Sequence, residues 1–140
     1  MILNYLILQK KIKDLLDDLP PNLILPGYVS GDIIKGAYGR CNIFFFPSRE
    51  ETEGIVVLEA LASKCNILLR DIPVFSSWLK DKENCYMGKN TNDFVSIIKK
   101  MISGEYPSLI NNGYEVAKKK ELSIIGKELC DVYNQVLNSN

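Results

Sequence analysis

Histidine is absent from all 140 residues. That removes Ser-His-Asp and Cys-His catalysis and every histidine metal site. Net charge is absent too: 17 Lys and Arg balance 17 Asp and Glu. A chain with no basic excess is not built to hold nucleic acid by bulk charge, so no nucleic-acid partner is expected. The chain has no apolar run near the ~20 residues of a membrane span. Ile2 to Leu8 is apolar, but its lysines follow it, the reverse of a signal peptide, and a small-residue cleavage site is missing. Cysteines stand at 41, 65, 85 and 130 with no Cys-x-x-Cys pair and no metal-ligand spacing. They read as isolated reduced thiols of a cytosolic protein.

What remains is an ordinary globular composition, 46% hydrophobic and 24% charged, with length for one domain over residues 1–140. Leu8, Ile12, Leu15, Leu16 and Leu19 share one helical face, and Pro20-Pro21 stops that helix. Leu23-Ile24-Leu25, ended by Pro26-Gly27, predicts a short buried strand. Ser30 or Asp32 fits the cap of a helix through Ile33, Ile34, Ala37 and Tyr38. Asn42 to Phe46 predicts a strand covered on both faces, because its apolar run does not alternate.

A helix from Gly54 to about Lys64 and a strand at Ile67-Leu68-Leu69 follow. Ile72 to Lys89 reads as loop, a short helix around Trp78 and an edge strand at Cys85 to Met87. Thr91 or Asn92 is expected to cap a helix carrying Phe94, Ile97, Ile98, Met101 and Ile102, which Gly104 ends. Leu109 to Lys120 and a last segment with Ile125, Leu129, Val132, Tyr133 and Val136 on one face predict two more helices. Alternating strands and helices imply an α/β fold with a Rossmann-like, doubly wound parallel sheet. Ligands of such sheets bind beyond the carboxyl ends of the strands, where residues 47–54 belong.

Glu51 of that stretch and Glu59 just beyond it stand on either side of Gly54, at the expected helix start. The first amides of a helix lack partners within it and, with the dipole, favour a phosphate. Glu59 lies about five residues in, roughly 7.5 Å along the axis, and helical side chains lean back toward the N-terminus. Two carboxylates repel a diphosphate unless the ligand also brings hydroxyl donors, which ionised carboxylates accept in pairs. A sugar nucleotide has such pairs on ribose and on hexose. The alternative is a helix start made acidic for the dipole alone.

Pro47-Ser48, Glu51, Gly54, Val56, Leu58-Glu59-Ala60 and Ala62 stand in the register of the glutamate motif of the retaining family 4 glycosyltransferases. Upstream, Gly27-Tyr28-Val29 resembles that family's Gly-aromatic-Val turn. The close resemblance runs from about Leu23 to Asp71, and it is to part of the C-terminal, donor-binding domain of a GT-B enzyme. Thr52-Glu53 replaces the family's usual Gly-Phe, and Lys64-Cys65-Asn66-Ile67 its Gly-x-Pro-Val. The run Glu50-Glu51-Thr52-Glu53-Gly54-Ile55-Val56-Val57-Leu58-Glu59 with Leu69-Arg70-Asp71-Ile72-Pro73-Val74 is similar to bacterial diacylglycerol glucosyltransferases of membrane glycolipid synthesis.

The resemblance implies UDP-glucose as donor, diacylglycerol as acceptor and no metal or other cofactor. It implies that Glu51 accepts hydroxyls of the transferred glucose and Glu59 those of the ribose. Gly54, Ile55 and Val56 would meet the diphosphate with backbone amides. Thr52 and Glu53 would lie beside the sugar, and Val29 and Ser30 near the base. It further implies a cytoplasmic protein peripheral to the inner face of the membrane. The Arg and Lys that neutralise the diphosphate in the family have no counterpart here, nor does the acceptor domain. The expectation is therefore a portion of an enzyme, inactive alone. A family 4 enzyme with another lipid or polysaccharide acceptor, or a non-catalytic nucleotide-binding module, are the alternatives.

Outside the motif, Phe75 and Trp78 suit core packing or an acceptor lipid. Lys118-Lys119-Lys120 suits a solvated helix face or an anionic membrane surface. Arg49 and Arg70 suit phosphate or neighbouring acids.

Overall fold

Three short apolar runs find each other as parallel strands. The computed structural model describes residues 13–138. Their elements run α1 (Gly31–Tyr38), β1 (Phe44–Phe46), α2 (Ile55–Ala62), β2 (Ile67–Arg70), α3 (Pro73–Ser76), β3 (Tyr86–Gly88), α4 (Thr91–Ser103), α5 (Ile110–Lys118) and α6 (Leu122–Asn138). The sheet order is β1-β2-β3, with Phe44 opposite Ile67 and Leu69 opposite Met87. The chain divides into two compact units, Met1–Ser30 and Gly31–Asn140.

β2 is central, and its sequence shows why. Ile67 and Leu69 pack on one face with Val57, Ala60 and Leu61 of α2, with Phe75, and with Ala117 of α5. Leu68 turns to the other face, with Tyr86, Phe94 and Leu109. All three are buried, each worth about 1.5–3 kcal/mol. Helices therefore cover both faces, as a doubly wound sheet requires. α5 reaches α2 closely because position 113 is glycine: a Cβ there would sit 2.6 Å from Leu61 Cδ2 and 3.0 Å from the Asn84 carbonyl oxygen.

Several expectations are corrected. Leu23-Ile24-Leu25 forms no strand, and Ile24 is 83% exposed. Three apolar residues make a strand only beside a partner. Here the Leu23 amide instead closes a turn onto the Pro20 carbonyl at 2.9 Å. In the same unit only residues 13–17 of the proposed first helix are described as helical; Leu8 and Ile12 lie outside the described residues. β1 is shorter than Asn42 to Phe46. It pairs on one side only among the described residues, and Phe45 stays 42% exposed, edged by the Phe94 ring at 5.1 Å.

The short helix starts at Pro73, whose fixed φ suits a first turn, and ends before Trp78. α4 is capped by Asn90, one residue before the expected caps. Asn90 Oδ1 accepts the Asp93 amide at 3.1 Å, and Asp93 Oδ2 accepts the Lys89 amide at 2.8 Å. α6 presents its apolar face as expected, yet none of its residues is buried. No helix among the described residues is long and apolar enough to cross a membrane.

The cysteines are not all isolated. Cys41 and Cys65 follow α1 and α2, and their sulfurs lie 3.2 Å apart as free thiols. Burial, then the Cys41 thiol, pushes Cys65 up to about 12; burial, then the Asp81 charge, does the same for Cys85. Both values exceed the ordinary 9.0, so the folded chain holds these protons more tightly than the unfolded one. Their contribution is complete below pH 9.0 and is lost as pH climbs through about 12. In that window the unfolded chain loses these protons first, so stability falls as pH rises. Urea unfolding across it should show stability falling with pH, and Cys85→Ala should flatten the fall; an unchanged slope would contradict this.

Candidate functional site

The loop from Pro47 to Gly54 leaves the carboxyl end of β1, the side of a parallel sheet where ligands bind. Its polar side chains fold it onto itself. Ser48 Oγ donates to the Glu50 carbonyl at 2.7 Å. The half-buried Glu51 accepts the Thr52 amide on Oε1 at 2.9 Å, with Thr52 Oγ1 at 3.5 Å from the same oxygen. The Thr52 backbone amide thus steadies the Glu51 carboxylate. Thr52 and Glu53 are exposed.

Gly54 then begins α2 from the left-handed region, at φ 73° and ψ 38°. A Cβ added there would lie 2.4 Å from Phe75 Cε1. The position needs glycine twice over, for its backbone angle and for the aromatic ring behind it. Close approach is real, but the neighbour is a core side chain. Phe75 is itself fully buried and meets Phe46 and Trp78 edge-on. Phe75 is therefore core, and Trp78 packs partly against it.

The first bonds of α2 run from the Val57 and Leu58 amides to the Gly54 carbonyl, at 2.9 and 3.3 Å. Ile55 and Val56 precede that ladder and are 60% and 38% exposed. Their amides come before the first intrahelical bonds, at the positive end of the helix dipole, an arrangement suited to an anion. One turn further, Glu59 is exposed and accepts a hydrogen bond from Tyr38 Oη at 3.4 Å. It lines a cleft of about 680 Å³ with Ile55, Leu58, Tyr114, Lys118 and Leu122. Ile55 and Glu59 thus share one wall, while Glu51 stays in the loop ahead of the helix. Val29 and Ser30 belong to the first unit, Val29 half-buried and Ser30 exposed.

Arg70 has a different task from holding phosphate. Nε donates to the Pro47 carbonyl at 2.9 Å and Nη1 to the Lys89 carbonyl at 2.6 Å. The guanidinium also lies over the Phe94 ring, 5.0 Å from its centre. One side chain on β2 so ties the segments leaving β1 and β3. Arg49 stands exposed. Lys118 pairs with Glu115 at 3.0 Å, which raises its pKa, and Lys120 lies over Trp78 at 5.4 Å. Two of the three consecutive lysines are engaged by their own surface.

The sequence reading passed over Tyr38. Its only signal was an aromatic ring at the end of an amphipathic helix, which predicts packing. Its hydroxyl partner, 21 residues away, comes from tertiary structure.

Comparison with known proteins decides the lineage. Residues 8–119 match the family model described as glycosyl transferases group 1. The chain belongs to this family. It is 44% identical over 130 residues to the processive diacylglycerol alpha-glucosyltransferase of Acholeplasma laidlawii, covering 93% of this chain and 38% of that protein. The group 1 chain thus spans well under half the length of that relative. Among solved structures it resembles sucrose-phosphate synthase from Thermosynechococcus elongatus at TM-score 0.80 and 17% identity, over 94% of this chain and 35% of that one. It also resembles the C-terminal domain of a glycosyl transferase group 1 family protein from Francisella tularensis. There the TM-score is 0.63 and the identity 25%, over 81% of this chain and 60% of that one. The α/β fold is that of the C-terminal domain of GT-B glycosyltransferases.

Gly54→Ala should destabilise the group 1 chain by about 2–4 kcal/mol, from left-handed strain plus the clash with Phe75. Adding Phe75→Leu should make the combined loss smaller than the sum of the single losses. Urea denaturation of all four proteins checks this; a neutral Gly54→Ala contradicts it.

Proposed function

We propose that this chain is the donor-binding portion of a retaining glycosyltransferase that moves glucose from UDP-glucose to diacylglycerol. The observation that carries the reading is the start of α2, whose Ile55 and Val56 amides precede the helical ladder, with a carboxylate ahead of it in Glu51 and one behind it in Glu59. Amides of Gly54, Ile55 and Val56 would bind the diphosphate, with no metal ion called for. Glu59 would take the two ribose hydroxyls and Glu51 those of the glucose. Thr52 and Glu53 would border the sugar.

The acids set the ligand class. Opposite a bare diphosphate they are repulsive; opposite hydroxyl pairs each forms charge-assisted bonds, about twice as strong as neutral ones. The leaving diphosphate gains negative charge as the glycosidic bond breaks, and the helix start is aimed at that charge. A 44% identity to a diacylglycerol glucosyltransferase supports a lipid acceptor. Such a protein would work at the cytoplasmic face of the membrane as a peripheral enzyme.

Calorimetry of the 140-residue chain should detect UDP-glucose binding. Glu59→Ala should weaken it roughly tenfold or more, the worth of hydrogen bonds to a charged group. Binding that survives Glu59→Ala unchanged would remove Glu59 from the site.

A further inference from the structure

We infer that Tyr38 is a positioning residue for the donor site: its hydroxyl holds the Glu59 carboxylate in place for the ribose. The inference rests on the donor reading proposed above. Tyr38 ends α1, and its own position is secured from several sides. Its ring meets the Phe44 ring edge-on at 5.6 Å. Its carbonyl oxygen lies 3.4 Å from Cys41 Sγ and 3.0 Å from Cys65 Sγ, so two thiols anchor its backbone. The half-buried side chain is packed against the core.

The Tyr38 hydroxyl lies 3.4 Å from Glu59 Oε2. Glu59 is exposed on α2 and has no ion pair among the described residues. A glutamate without a partner samples many rotamers, and ordering it on ligand binding weakens affinity. A tyrosine has far fewer rotamers and is already packed, so it holds the carboxylate at little further entropic cost. The bond is long against the ~2.7 Å usual for O–H···O. It keeps the carboxylate on the α1 side of the helix yet leaves Oε1 free for a hydroxyl. Burial, then the Glu59 charge, raises the Tyr38 pKa, with the Cys65 and Cys41 thiols adding to it. The phenol therefore keeps its proton, and its donor role, throughout the neutral range.

Two measurements on the 140-residue chain test this. Titration of ¹³C-labelled tyrosine followed by NMR should show Tyr38 ionising at lower pH in Glu59→Gln than in the native chain. An unchanged Tyr38 titration means the pair does not exist and overturns the inference. Calorimetry should then compare UDP with 2′,3′-dideoxy-UDP. Tyr38→Phe keeps the ring and should weaken UDP about threefold to tenfold, the cost of ordering one free side chain. It should leave the dideoxy compound unaffected. Equal loss for both ligands marks a merely structural role, and no loss for UDP removes the role altogether; either overturns the inference. If the native chain binds both ligands alike, Glu59 is not at the ribose. The donor reading then fails together with the positioning role, even where the NMR pair is present.

Discussion

The candidate site depends on a contact buried behind it. The Phe75 ring occupies the space that any side chain at position 54 would need. Because residue 54 is glycine in the left-handed region, the loop can turn sharply against that ring and enter α2 at once. α2 then lays Val57, Ala60 and Leu61 onto β2, and its first bonded amides are those of Val57 and Leu58. Core packing and the start of the helix are thus set by one turn. A change that relaxes the turn would loosen both.

The carboxyl edge of the sheet is held in a second way. Arg70 reaches the carbonyls that follow β1 and β3, so the loop bearing Glu51 starts from a fixed point. This fastening uses the cation that lies at the end of β2. Its charge goes to carbonyl oxygens and to the Phe94 ring. The surface lysines at 118 and 120 are similarly occupied by Glu115 and Trp78. Arg70, Lys118 and Lys120 thus each have a partner on the protein's own surface.

Much of this was legible in the sequence wherever local physics decides. The run Ile67 to Leu69 reads as a strand, and its central place comes from its pairing with β1 and β3. Gly54 marked the start of α2, and Gly104 the end of α4, where φ is 78°. The alternation of elements implies the parallel sheet, and the register of Pro47 to Ala62 points to the family. What escaped was set at a distance. Leu23 to Leu25 looks like a strand on apolarity alone, but pairing cannot be read from one run. Cys41 and Cys65, 24 residues apart, looked isolated until α1 and α2 set their ends side by side. The roles of Tyr38 and Arg70 are also made by residues far along the chain. The Asn90 cap was misplaced by one residue, since Asn, Thr and Asn in succession all suit the position and only the Asp93 partner selects one.

The central claim is that the start of α2 receives the diphosphate of a sugar nucleotide. It is tested most directly by ¹⁵N amide shifts of the chain titrated with UDP. The start of α4 is a built-in control, because Asn90 already satisfies the Asp93 amide there. The account predicts saturable shifts at Gly54, Ile55 and Val56, with Asn92 and Asp93 unmoved. Shifts centred on α4 or on the Trp78 region, with residues 54–56 silent, would contradict it.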